Sequence, residues 1–380
     1  MVEFSSLFPH PVVQAPMAGG GSRPELAAAV SQAGGLGFLA AGYKTAAGMR
    51  EEIERLRPLL APGTPFGVNL FMPQAPTADP AAVAVYREQL GTEAAWFKTS
   101  LGDSGGSTDD AYEAKLALLI SEPVPVVSFT FGCPKPSEIE ALRRVGTATV
   151  VTVTSPAEAR AAERAGADAV CLQGVEAGGH QGSHRNDPEL DGAGLGLLSL
   201  LGLVRESVDL PLIAAGGLMR GSQIAAVLAA GASAAQLGTA FLVTPESGAN
   251  AVHKSAMTDP LFTHTELTRA FSGRPARGLV NRFMREHGPY APAAYPQVHY
   301  LTSPLRKAAA TAGDPQAMAL WAGQGHRLAR PLPAAELVET LVAEVNEARK
   351  TVEVNEAEKA AEVSEAEKTA EIDEAEKAQA

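Results

Sequence analysis

The feature that most constrains this chain is a repeated alternation. Eight short apolar runs are each followed by a Gly-rich or amphipathic segment: Val12-Val13-Gln14-Ala15, Gly37-Phe38-Leu39-Ala40, Phe66 to Leu70, Val124 to Phe129, Ala148 to Val153, Asp168 to Leu172, Leu212 to Ala215 and Ser233 to Leu237. Runs that stay apolar without polar alternation belong to strands covered on both faces. Helices are expected near 23–33, 45–60, 136–145, 155–165 and 220–230, and Ser155-Pro156 reads as an N-cap followed by proline in the first turn. Eight parallel strands joined by helices predict an α/β fold, a (β/α)8 TIM barrel rather than an open doubly wound sheet.

Four regions follow from this pattern. Residues 1–244 read as the barrel. Residues 245–330, rich in Pro and Gly and containing GPYAPAAYPQ at 288–297, read as a helical and loop lid subdomain over the barrel mouth. Residues 331–350 read as a C-terminal helix returning to the barrel wall. Residues 351–380 read as an acidic tail, a solvated helix or disordered chain. Within that tail EVNEAEKAA, EVSEAEKTA and EIDEAEKAQ repeat every nine residues, which is about 2.5 helical turns, so the repeat presents no continuous apolar face. A further insertion at 72–122 is expected to be mostly helical, with a polar loop at 102–110.

Composition excludes several classes. Residues 344–379 hold twelve acidic and five basic side chains, so most of the net charge of −12 lies there and the rest of the chain is only mildly acidic. No basic stripe points to nucleic acid. No apolar run reaches the roughly 20 residues that span a bilayer, and MVEFSSLFPHPVV lacks the basic-then-apolar pattern of a signal peptide. Two cysteines, Cys133 and Cys171, form no disulfide framework and read as reduced thiols of a cytoplasmic protein. A homo-oligomer is compatible with all of this.

The chemistry concentrates at the C-terminal ends of the runs, where barrels carry their sites. After the sixth run, Gln173 opens a loop containing Gly174, Gly178, Gly179 and Gly182, with His180 among them. Such a loop brings backbone close to a flat or anionic ligand, and the imidazole can move a proton near neutral pH. After the first run, Ala15, Pro16, Met17 and Ala18 precede three glycines and offer a soft apolar edge. Asn69 closes the third run with a carboxamide that can donate and accept, as a pyrimidine-like ring edge requires. Gly216 and Gly217 follow the seventh run; Gln236, Gly238 and Thr239 lie at the end of the eighth. Gly-rich turns in these two positions form a phosphate site, because free N–H groups and helix N-termini favour an anion. The parts together suit a planar, phosphorylated, hydrogen-bonding cofactor such as FMN: phosphate on these last glycines, pyrimidine edge on Asn69 and Gln173, ring over 16–18.

At these motifs the chain resembles the nitronate monooxygenases, formerly called 2-nitropropane dioxygenases. The shared elements are QAPMAGG (14–20), PFGVNLF (65–71), VSFTFG (127–132), QGVEAGGHQG (173–182), LIAAGG (212–217), QLGTAFLVTPES (236–247) and FSGRPARGLVNRF (271–283), in the family's order and class I-like. The resemblance implies an FMN-dependent, metal-free enzyme. It would use O2 to oxidise alkyl nitronates, propionate 3-nitronate among them, to a carbonyl compound and nitrite. It makes His180 the active-site histidine, either a base toward a neutral nitroalkane or a group that orients and neutralises the anion. Cys133 stands where an aliphatic residue is expected.

Other residues carry alternative readings. Arg274 and Arg277, with Ser272 and Gly273, suit either anion recognition or a salt bridge anchoring the lid. Tyr295, His299 and Tyr300 are candidates for the substrate pocket. His184 reads as a surface loop residue and Asp168 as a turn residue. The rival functions on the same barrel are an NAD(P)H-dependent enoyl-acyl-carrier-protein reductase, an NAD(P)H:quinone reductase and a flavin-free phosphosugar lyase or isomerase. A non-enzymatic scaffold with a functional tail is the remaining alternative.

Overall fold

In the computed structural model, which describes residues 7–75 and 79–351, the eight expected runs form one parallel sheet. Its strands are β1 (Val12–Gln14), β2 (Gly37–Ala40), β3 (Phe66–Phe71), β4 (Val126–Thr130), β5 (Ala148–Val153), β6 (Ala169–Gln173), β8 (Leu212–Ala215) and β9 (Ala234–Leu237). Between β6 and β8 the loop contains a two-residue strand outside this sheet, β7 (Gly179–His180). The sheet runs β1-β9-β8-β6-β5-β4-β3-β2. A parallel bridge between Val13 and Leu36 joins its two edges, with Gln14 N donating to Leu36 O and Leu36 N to Val12 O, both at 2.9 Å. The fold is thus the expected (β/α)8 barrel.

Local chemistry explains the elements. The helix Pro156–Ala165 starts at Ser155, whose hydroxyl accepts from Glu158 N at 3.3 Å, and ends at Gly166 with φ +91°, a conformation glycine takes without steric cost. Inside the barrel Phe8, Val13, Phe38, Val126, Val150, Cys171 and Ile213 pack together. Gly67 makes room for Phe38: a Cβ there would lie 2.1 Å from its ring. A larger apolar layer between strands and helices includes Val68, Val127, Val151, Leu172 and Leu212. Leu337, Val338, Leu341 and Val345, on the helical run 334–351, belong to the same layer. Gly221 N donates to Glu344 Oε2 at 2.6 Å there, and Arg330 pairs with Glu344 at 2.5 Å. Residues 352–380, nearly the whole expected tail, lie outside the described residues.

The segment after β9 is not only helix and loop. It contributes β10 (Thr265–Thr268) and β11 (Ala276–Leu279), and β11 pairs antiparallel with β7. The strand is hidden in sequence because SGRPARG has the composition of a turn, and one of its two partners, β7, comes from a distant region of the chain. A separate apolar core holds this part together, with Phe271, Phe283, Val298, Leu301, Leu305 and Leu320 buried in it. A further helix beyond those expected, Leu197–Arg205, lies between β7 and β8.

Candidate active site

A cavity of about 590 Å³ opens at the C-terminal ends of the strands, within the size range of cofactor and ligand pockets. The barrel and the segment after β9 enclose it together. Ala15, Pro16, Met17, Ala18, Asn69, Gln173, Gly178, Gly179, His180, Gly216, Gly217, Gln236, Gly238 and Thr239 all border it. Residues from five strand ends and the loops after them therefore converge, as the shared end of parallel strands requires.

The turns after β8 and β9 line part of the cavity. Gly216 and Gly217 have φ +125° and +72°. Among the described residues, the N–H groups of Gly216, Gly217, Gly238 and Thr239 donate to no protein acceptor. Backbone donors lining a cavity without partners form an anion cradle. The helix after β8 begins only at Gly221 and the one after β9 is a single turn, Thr239–Leu242. The loop N–H groups, more than the expected helix ends, make the cradle.

His180 borders the same cavity. Its Nε2 lies 2.9 Å from Ser272 Oγ, and its ring contacts Phe131, Tyr295 and Trp321 at centroid distances of 5.9, 5.6 and 5.5 Å. Burial pushes the imidazole pKa down to about 3, helped by the positive fields of Arg274 and Arg306, so His180 is neutral near pH 7. Ser272 Oγ is also 3.2 Å from Arg274 O. When it donates there, it accepts from His180 Nε2–H; when it donates to Nε2, the proton sits on Nδ1. The hydroxyl therefore supports either tautomer.

The two carboxamides divide their roles. Asn69 Nδ2 donates to Ser128 O, Ser128 Oγ and Thr130 Oγ1 at 3.3, 3.0 and 3.0 Å, which leaves Oδ1 as the group it can offer a ligand. Gln173 donates through Nε2 to His180 O at 3.0 Å and accepts through Oε1 from Gly182 N at 2.6 Å. Both ends of Gln173 thus hold the histidine loop.

The remaining candidates separate. Arg274 makes no salt bridge among the described residues. It donates to Gln181 O at 3.1 Å, Gln74 Oε1 at 2.8 Å and Ser183 O, and its guanidinium lies 4.2 Å from the Phe131 ring centroid. Arg277 donates to Val175 O and Thr265 O at 2.8 and 3.0 Å. Neither borders the cavity; both brace the loop after β6 through backbone carbonyls. His184 N donates to Glu158 Oε1, and its Nε2 lies 3.0 Å from Thr152 O, which makes it a strut. Asp168 accepts from Thr149 N and Oγ1 at 2.8 Å. Tyr300 bonds Ser107 O outside the cavity. The half-buried Cys133 also lies outside it, and burial raises its thiol to about 11.

His299 does border the cavity, with Tyr43, Phe71, Phe131, Arg306 and Trp321. Apart from His299, none of these stands out in the sequence. Tyr43 and Phe131 carry a usable signal only in three dimensions: both have positive φ, +67° and +75°, the backbone strain that clusters at functional sites. Among the described residues Glu93, Glu286 and His287 could share an ion, but Arg282 already bonds both glutamates and none of the three borders the cavity.

Known proteins share this architecture. A family model described as nitronate monooxygenase matches residues 3–344. The nitronate monooxygenase of Pseudomonas aeruginosa is 43% identical over 349 residues, covering 88% of this chain and 96% of that protein. The solved nitroalkane oxidase from Streptomyces ansochromogenes has a TM-score of 0.90 at 70% identity, covering 92% of this chain and 99% of the other. FabK from Thermotoga maritima follows at TM-score 0.69 and 29% identity, with 92% and 98% covered.

Proposed function

The chain belongs to the nitronate monooxygenase family and is an oxidoreductase; from that premise we propose that it binds FMN and oxidises alkyl nitronates with O2 to a carbonyl compound and nitrite. One observation carries the reading: a single cavity joins an unpartnered set of backbone N–H donors to a desolvated, neutral histidine. The residues fit the cofactor. Gly216, Gly217, Gly238 and Thr239 would hold its phosphate, Asn69 Oδ1 would accept from the ring edge, and Ala15 to Ala18 would flank the ring. When bound, FMN supplies an electron acceptor for the nitronate and a donor to O2.

The protein's own contribution is binding, orientation and proton placement. His180, neutral and backed by Ser272, takes a proton from the carbon of a neutral nitroalkane through its free lone pair, or donates a hydrogen bond to a nitronate oxygen in the other tautomer. Gln173 fixes the His180 backbone, and Phe131, Tyr295 and Trp321 exclude water around the imidazole.

The test combines cofactor identity and turnover. Cofactor released from the holoenzyme is expected to be FMN, and nitronate is expected to drive oxygen uptake without NAD(P)H. His180→Asn is expected to keep its flavin but lose about 10²–10⁴-fold in kcat with a nitroalkane. Recovery of FAD, turnover that requires NAD(P)H, or a variant of near-wild-type rate overturns the proposal.

A further inference from the structure

The cavity is free of acidic side chains although the chain carries a net charge of −12: among its described lining residues there is no Asp or Glu, and the only permanent cations are Arg306 and Lys307. Both stand on the helix Gln297–Ala312, in the segment that faces the barrel mouth. Lys307 is exposed at the rim; Arg306 is half-buried. Arg306 Nε donates to Thr302 Oγ1 at 3.1 Å, and Nη2 lies 3.0 Å from His299 O and 3.3 Å from His299 Nδ1. Neither residue forms an ion pair with a carboxylate among the described residues, and Arg306 Nη1 has no protein acceptor there. Partial burial disfavours the charge on Arg306, and since no carboxylate compensates it, an anion in the cavity would complete it.

The aromatic wall links this cation to the histidine. His299 stacks on Tyr43 at 4.0 Å, with 6° between the rings. Tyr295 Oη donates to Tyr43 Oη at 3.0 Å, so the Tyr43 proton stays available at the cavity surface. The Tyr295 ring in turn contacts His180. A nitronate is an anion whose charge lies on two oxygens. A neutral His180 can hydrogen-bond such a group but cannot neutralise it.

Resting on the nitronate reading above, we propose that Arg306 supplies the positive charge that holds the nitronate anion, with the Tyr43 hydroxyl as a second donor, and that His180 contributes hydrogen bonding and proton transfer only. Arg306 is then the residue that selects the anionic nitronate over its neutral nitroalkane. A planar guanidinium matches two oxygens in one plane, which an ammonium does not.

The experiment compares ligands that share a skeleton and differ in charge, using the holoenzyme. Propane-1-nitronate is the anionic substrate, and 1-nitropropane, as substrate or competitive inhibitor, is the neutral one. Butanoate and butanamide are an unreactive pair read by calorimetric titration. Arg306→Met is expected to raise the KM for propane-1-nitronate and the Kd for butanoate by about 10–100-fold, as for loss of a charge-assisted contact. The neutral partners should shift by less than about threefold, with flavin content unchanged; Arg306→Lys should recover part of the loss. Equal weakening of charged and neutral ligands, loss of flavin, or an effect confined to nitronates bearing a second, carboxylate charge overturns the assignment. If wild type oxidises no nitronate yet binds butanoate through Arg306, the functional reading fails and the anion site stands. If nitronates turn over and Arg306→Met leaves both ratios unchanged, only the anion site fails.

Discussion

Lys115→Met probes how the cavity wall is held. Lys115 is 1% exposed; its Nζ pairs with Asp110 Oδ2 at 2.7 Å and donates to Ala41 O at 2.9 Å. Asp110 Oδ1 accepts from Tyr43 N at 2.8 Å. This buried pair thus clamps the insertion between β3 and β4 onto the turn after β2, where Tyr43 is held at φ +67°. Burial moves both groups against their charged forms, Asp110 upward and Lys115 downward, so each charge depends on the other. Removing the ammonium strands the carboxylate, at a cost of about 3–5 kcal/mol. With an unfolding entropy of about 2.1 cal/mol/K per residue, or ~0.8 kcal/mol/K for 380 residues, Tm should fall by about 4–6 °C. The assay is thermal unfolding of holoenzyme near pH 8, beside Asp110→Asn and the double variant. The double variant should recover more than half of the loss, because no buried charge remains uncompensated. The penalty of Lys115→Met should shrink near pH 5, where the orphaned carboxylate takes up a proton. A fall below about 1 °C, or a double variant no better than the single, refutes the clamp.

Two further outcomes follow. Gly216→Ala places a Cβ 3.2 Å from Ala177 N and Gly174 O at a φ of +125°, a conformation that costs about 1–3 kcal/mol for a non-glycine residue. It should weaken cofactor retention about tenfold or more in equilibrium dialysis while far-ultraviolet circular dichroism stays unchanged. The pH dependence follows from the histidines: burial lowers His180 to about 3 and His253 to about 4, and His299 well below its usual value. The folded state therefore binds fewer protons than the unfolded chain, so stability should decline as pH falls from about 6.5 toward 4, read as Tm against pH. The kcat/KM for nitronate should show no inflection near 6.5 from His180.

Much of this protein is legible in the chain itself. Strand runs such as Ala148 to Val153 and caps such as Ser155 and Gly166 are local, because they depend on residues a few positions apart. Barrel geometry then places every strand end at one mouth, so glycines and polar residues at those ends meet wherever they lie along the chain. That is why the positions of Asn69, Gln173, His180, Gly216 and Gly238 relative to the apolar runs suffice to group them at one cavity. Tertiary structure alone decided what surrounds them. The strand Ala276–Leu279 pairs with the edge that Gly179–His180 offers it. Ser272 reaches His180 across 92 residues, and Tyr43 meets Tyr295 across 252. Arg274 reads equally as an anion receptor or a lid salt bridge until its carbonyl partners are seen, whereas Arg306, unremarkable on its helix, is a cation that the cavity leaves without a carboxylate. Periodicity and capping are encoded in neighbouring residues. A side chain's charge state and partner depend on burial and on distant segments, and only the folded chain sets those.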